Sequence, residues 1–327
     1  MAVSVVTLVY VLRDLDPAQA RSAYAALDLR WLAVCVAILA AQQLLRAARM
    51  HWILAPSSRP RWWSQVAITA IGFMAITTLP LRLGEAVRPW LLAREGVSVA
   101  EGTGAVVVER SFDLLALIGL LLVATLLVEL PSSALALPSG VDLVSAATRS
   151  VGVVVATAFA VLLALLLGGE RVASSIRRLP RVGDAAAEFV LRMRAALRGL
   201  SRSPARLLAV AGVSALVWLA TVATAWAMLW AYPGLPRSPA LALTLATAVI
   251  AGTLVMPTPG FFGSFELSAQ AVLVLWSVDR GHAASFALAW HLLVFLFTFV
   301  VGWVFALLAG VSVRDAITRP QPREAGS

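Results

Sequence analysis

The chain has 327 residues, 61% of them hydrophobic and only 13% charged, with a mean hydropathy of +0.89. A soluble globular domain is about 45–50% apolar and about 25% charged, so a soluble fold is excluded and an all-α polytopic membrane protein is expected. All 26 basic residues are arginine, giving a net charge of +9; in such a chain this signals cytoplasmic span ends and attraction to anionic lipid, not nucleic-acid binding.

In chain order, "MAVSVVTLVYVL" (1–12) reads as a first span without a cleavable signal. It is short for a crossing, which leaves open whether the start codon lies upstream of Met1. The run 31–54 holds Cys35, the lone cysteine, which excludes an internal disulfide or a Cys-based metal site. Arg46, Arg49, Arg59 and Arg61 are read as one cytoplasmic loop. The run 65–81 then meets "LPLRLGEAVRP", with 105–128 following. One arginine in 129–150 fits an outer loop, followed by the run 151–168.

Segment 170–206 carries nine arginines between Arg171 and Arg206. Ala187, Val190, Leu191, Met193, Ala195, Leu197 and Leu200 recur among them at near-helical spacing. An amphipathic helix on the cytoplasmic membrane surface and a solvated loop helix both remain open. Runs at 207–231, 238–256, 264–278 and 282–311 complete a single bundle over 1–311. A short basic cytoplasmic tail follows at 312–327, with Arg314, Arg319 and Arg323.

Positive-inside bookkeeping conflicts with a simple count of crossings. If 46–62 lies inside and 129–150 outside, an odd number of crossings separates them, yet two apolar runs intervene. The conflict disappears if 65–81 enters from the cytoplasm and turns back at "LPLRLGE". Likewise 238–278 must enter and leave on the outer side, turning at "MPTPGFFGSFE". The expectation is six full crossings plus two re-entrant hairpins related as inverted repeats, with both termini cytoplasmic in the inner (cytoplasmic) membrane. Interrupted helices of that kind meet near the midplane in transporters, and irregular backbone at that depth must be buried in protein or line a cavity.

Pro80 and Gly84 break the first hairpin; Pro257, Pro259, Gly260 and Gly263 break the second. Arg82 and Arg88 offer planar donors suited to phosphate, and the helix starting near Glu85 directs its positive end to an anion. Glu109, Arg110 and Asp113 share a helical face within an apolar run, and Glu266 follows the second break. An ionised side chain at the bilayer centre costs at least about 2.5–3.5 kcal/mol, so such residues face the interior with a partner. Arg110 is expected to pair with Glu85, or both to face a polar cavity. For His291, a hydrogen-bonded buried histidine is the better reading.

Catalytic readings are weak. Asp14 and Asp16 in "RDLDP" sit where lipid-linked-sugar glycosyltransferases place acids, but the long outer domain of such enzymes is missing. Ser264 and His291 form at best an isolated dyad, and no HExxH, Walker A or GxGxxG motif occurs. No enzyme, cofactor or metal is expected; the alternatives are a glycosyltransferase-type enzyme or accessory acting on a polyprenyl-linked substrate, or a non-transporting envelope scaffold.

The segments "LLRAARMHWIL", "LPLRLGEAVRPWLL", "VVVERSFDLLAL" and "PTPGFFGSFE", in that order, resemble the transmembrane domain of the lysylphosphatidylglycerol synthase/flippase family over about residues 30–311. The resemblance implies a bundle of about eight hydrophobic segments that moves polar-headed lipids between leaflets. It places Pro80, Arg82, Gly84, Glu85 and Arg88 in a first re-entrant motif and Glu109, Arg110 and Asp113 in a Glu-Arg-x-x-Asp motif. Pro257, Gly260, Gly263 and Glu266 fall in the second break. The expected partner is a membrane lipid with an anionic or phosphate-bearing headgroup. Bifunctional members carry a soluble aminoacyl-transfer domain after the bundle, whereas this sequence ends 16 residues after Val311, so lipid synthesis is not expected. Phe261 and Phe262 stand where the family more often has glycines and are expected to narrow the second cavity.

Overall fold

The computed structural model describes residues 2–79, 84–127 and 183–309, with a few positions between 170 and 177. Pro80 and Arg82, residues 129–150, the run 151–168 and the tail 312–327 lie outside the described residues. Those described form helices and connecting turns, with no strand among them.

Two small helices come first, α1 (Ala2–Leu12) and α2 (Pro17–Ala25). At about 1.5 Å per residue, the 11 residues of α1 extend roughly 17 Å, about half a hydrocarbon core of about 30 Å. Helix α1 packs against the second break, where Ser4 Oγ donates to the Phe262 carbonyl at 2.8 Å.

The remaining helices are α3 (Leu29–Ile53), α4 (Trp62–Thr78), α5 (Val87–Arg94), α6 (Val99–Leu127), α7 (Gly183–Ser201), α8 (Pro204–Ala231), α9 (Pro239–Val255), α10 (Ser264–Leu275) and α11 (Arg280–Leu308). Among the described residues α3, α8 and α11 are long and apolar enough to cross a membrane. Helix α6 has the length too, 29 residues, with its charges in the first half.

Local chemistry explains many of the helix ends. Asp16, Asp28, Ser238 and Asp279 are N-caps whose side chains accept backbone N–H groups, and proline occupies the first turn of α2, α8 and α9. Arg206 donates to the carbonyls of Trp52, Ile53 and Leu54 at 2.8–3.2 Å, satisfying acceptors left at the end of α3. The acids of "RDLDP" are thus occupied: Asp16 caps α2, and Asp14 accepts Gln270 Nε2 at 3.1 Å.

The helices repeat a length pattern. A long helix, a 17-residue helix, a short helix and a long helix run through α3–α6, and the same series runs through α8–α11. Packing follows it: α3 lies along α8, while α4 packs on α11 and α9 on α6. Each 17-residue helix therefore leans on the last helix of the other series. Two apolar cores result. One gathers Met228, Leu245, Leu273, Phe286 and Trp290 around α8–α11, the other Met50, Met74, Leu92 and Val108 around α3–α6.

Helix α7 is the arginine-rich segment. It packs along α6 and α8, with Ala187, Val190 and Leu200 buried, so part of its apolar face is covered by protein.

Candidate functional site

The first break shows how a membrane helix is made to turn. Helix α4 stops with Leu79 extended at its C-cap, just before Pro80. Gly84 is already back against α4: a Cβ there would overlap backbone atoms of Ala75 and Ile76. The chain doubles back over the last turn of α4, and only glycine permits that approach.

Arg88, on the returning α5, is thereby placed under α6. Its Nη1 and Nη2 donate to Glu109 Oε1 and Oε2 at 2.9 and 2.7 Å, a bidentate fork. Both side chains are 0% exposed. The Arg88 stem crosses α4 at Gly72, where a Cβ would overlap Arg88 Cγ and Cδ.

Three more arginines complete the cluster. Arg49 Nη2 lies 2.9 Å from Glu109 and its Nη1 2.6 Å from Asp113. Arg110 Nη2 lies 2.9 Å from Glu109, while its Nη1 is 3.5 Å from Asp113 and 3.8 Å from Glu85. Trp218 Nε1 from α8 donates to Asp113 Oδ1 at 3.1 Å. Arg46, one helical turn before Arg49, lays its guanidinium on the Phe73 ring, 4.0 Å from the centroid. The guanidiniums of Arg88 and Arg110 approach the same ring at 5.4 and 5.9 Å. Arg46 has no carboxylate partner among the described residues. Four arginines face three carboxylates, leaving one positive charge unmatched.

This cluster opens on a cavity of about 490 Å³, within the range of small-ligand sites, about 300–1,000 Å³. Its charged lining comes from Arg46, Arg49, Glu85, Arg110 and Asp113. The opposite wall, from α9, the second break, α10 and α11, is apolar apart from Thr253, His291 and Thr298. Gln43 Nε2, Arg49 Nε and Arg110 Nε are buried donors with no hydrogen-bond acceptor, and Glu85 Oε2 is a buried acceptor with no donor. The arrangement suits an amphiphile: donors for an anion at one side, hydrocarbon contact at the other.

The second break reaches the same cavity. Pro257 follows α9, Pro259 opens a 3-10 turn over Pro259–Phe261, and Gly260, Phe261 and Gly263 all have positive φ. Phe261 lines the cavity and adopts a backbone that only glycine takes without strain. Glu266 folds back on its own helix start, accepting the Gly263 N–H at 2.8 Å, and meets His291 Nδ1 at 2.7 Å. Ser264 Oγ contacts Thr258 Oγ1 and the Phe261 carbonyl instead of His291, so the Ser264–His291 dyad does not form. The two breaks meet, because a Cβ on Gly260 would lie 3.4 Å from the Thr77 carbonyl of α4.

The family model of the lysylphosphatidylglycerol synthase TM region matches residues 1–302. The chain belongs to that family. No curated protein and no solved structure matches it.

In this member of the lysylphosphatidylglycerol synthase TM family, Glu85, Arg110 and Asp113 line the cavity. Arg88 and Glu109 stand behind it as a buried pair, Glu266 is held within the second break, and Arg82 lies outside the described residues. Among the described residues no group of three or more His, Cys, Asp and Glu side chains could hold a metal. Arg46, Arg49, Phe73 and Trp218 were not expected at the site. Arg46 and Arg49, read as loop residues, sit on the last turns of α3. Their spacing of three, at the end of an apolar run, was the available signal: it puts both on one helical face.

Proposed function

We propose that the protein is a lipid flippase or transporter, moving a lipid with a polar, phosphate-bearing headgroup between the leaflets of the cytoplasmic membrane. The observation that carries this reading is Arg46: a cation with no carboxylate partner among the described residues, in a cavity with one charged and one apolar wall. A phosphodiester would accept from Arg46, Arg110 and Gln43, Glu85 Oε2 would take a headgroup hydroxyl or ammonium, and acyl chains would lie against α9 and α11. Membership of the family supports the same reading.

The test is a leaflet-resolved assay of a headgroup-labelled anionic phospholipid in proteoliposomes. Arg46→Gln is expected to slow movement by about tenfold or more, the worth of a charge-assisted hydrogen bond, while unfolding temperature changes little. Arg110→Ala and Glu85→Gln should also slow it. Wild-type rates in Arg46→Gln and Arg110→Ala together would sink the site assignment.

The recurring length pattern, and the exchange of partners between α4·α11 and α9·α6, support two inverted repeats whose breaks enter from opposite sides. Six full crossings and cytoplasmic termini are supported by the arginine distribution, with 19 arginines assigned inside and six outside. With Cys35 replaced, single cysteines at the exposed positions Ser57 and Glu95 should be labelled from the same, cytoplasmic, side. Labelling from opposite sides would rule out the first re-entrant hairpin.

A further inference from the structure

The hydrogen bonds around His291 require more protons than a neutral histidine and an ionised glutamate possess. His291 Nε2 is 3.0 Å from the Gly260 carbonyl and Nδ1 is 2.7 Å from Glu266 Oε1. A carbonyl can only accept, and so can an ionised carboxylate, whereas a neutral imidazole carries a single N–H. Both contacts are satisfied when the pair holds one additional proton, either as imidazolium with carboxylate or as imidazole with carboxylic acid. Glu266 Oε2 accepts the Gly263 N–H in both forms.

The position of the pair gives that proton a task. Glu266 is the third residue of α10 and His291 the twelfth of α11; Arg88 is the second of α5 and Glu109 the eleventh of α6. Each break is therefore tied to the following long helix at nearly the same place. In the first series the tie is permanently charged. In the second, both contacts of His291 are made only while a proton is bound.

We propose that Glu266 and His291 form a proton-binding site that latches the second break to α11. Release of the proton to water leaves a carboxylate and a neutral imidazole with one N–H, so either Glu266 or the Gly260 carbonyl loses its donor. Gly260 abuts the end of α4 and Phe261 lines the cavity, so unlatching alters the contact between the breaks and one wall of the cavity. His291 itself lines that cavity, which gives the proton a route.

Few other groups titrate against the pair. Helices α4, α9 and α10 bring no other titratable side chain, α1 contributes Tyr10, and α2 carries Arg21 and Tyr24. Helix α3 carries Arg30, Cys35, Arg46, Arg49 and His51, and α11 itself Arg280 and His282. Arg46, Arg49, Glu85, Arg110 and Asp113 share the cavity with His291. The anion donors and the proton site open on the same cavity, so an anionic headgroup and a proton would be bound together. This last coupling rests on the transport reading; the proton site does not.

Hydrogen exchange of the amides of residues 260–263, in protein reconstituted in lipid, tests the site. Exchange is corrected for its intrinsic pH dependence and followed from about pH 5 to about pH 9, spanning histidine titration. Wild-type protection is expected to fall by about tenfold as pH rises, the loss of one charge-assisted hydrogen bond. Glu266→Gln supplies an amide N–H to Nδ1 and an amide oxygen to Gly263 without a titratable proton, so its protection should stay high and flat. Constant wild-type protection, or the same titration in Glu266→Gln, would overturn the proposal. In the lipid assay, a pH gradient should change the wild-type rate and leave the Glu266→Gln rate unaffected. Lipid movement absent from both proteins would defeat the transport reading, while the amide titration would still decide the proton site.

Discussion

Glu109→Ala is expected to destabilise the protein by about 3–5 kcal/mol, the usual cost of stripping one partner from a buried ion pair. The mechanism is the fate of Arg88. Glu109 is its carboxylate partner, the fork is wholly buried, and the stem is boxed in by Gly72 of α4. Once Glu109 is gone, the guanidinium has neither water nor an anion. Arg49 and Arg110 lose less, because each keeps Asp113. Adding Arg88→Met to Glu109→Ala should therefore recover much of the loss, since the methionine replaces a stranded charge with apolar volume. Thermal unfolding of the purified single and double variants measures both steps. A double variant no more stable than Glu109→Ala would show that Arg88 is not where the cost arises.

Gly84→Ala should be nearly as damaging, at or above about 3 kcal/mol, the upper end of overpacking costs. A Cβ at Gly84 meets the backbone of Ala75 and Ile76, and backbone within a helix cannot rotate aside as a side chain can. The return of the first hairpin would have to lift from α4, carrying Glu85 out of the cavity and Arg88 away from Glu109. Gly96→Ala is the control. Gly96 has positive φ, 88°, and a Cβ there has open space, so only the conformational cost of a left-handed L-residue, about 1–2 kcal/mol, is expected. Equal losses at the two glycines, measured by unfolding in detergent, would mean that the close approach of the hairpin to α4 contributes nothing.

Much of the architecture was legible in the sequence because its causes are local. Apolar runs of sufficient length call for membrane helices, and Pro80, Gly84, Pro257, Pro259, Gly260 and Gly263 mark breaks whatever surrounds them. Ionisable side chains such as Glu109, Arg110 and Asp113 inside an apolar helix advertise partners through their desolvation cost alone.

The assignment of partners was not legible. Arg88 looked available to a ligand, yet both its Nη groups are taken by Glu109, 21 residues away. Arg46 and Arg49 looked like loop arginines, yet the packing of α3 against α6 and α8 turns them inward, one matched and one free. Glu266 looked like a cavity residue, yet a helix start and His291, 25 residues on, claim both its oxygens.

By itself, then, the amino-acid order determined a helical membrane protein with two interrupted hairpins and charges too costly to leave unpaired. Which charges cancel, and which arginine is left without a carboxylate among the described residues, were decided only by the tertiary structure. Hydropathy and backbone breaks act within a few residues, whereas Coulombic and hydrogen-bond partners are chosen among helices brought together by packing.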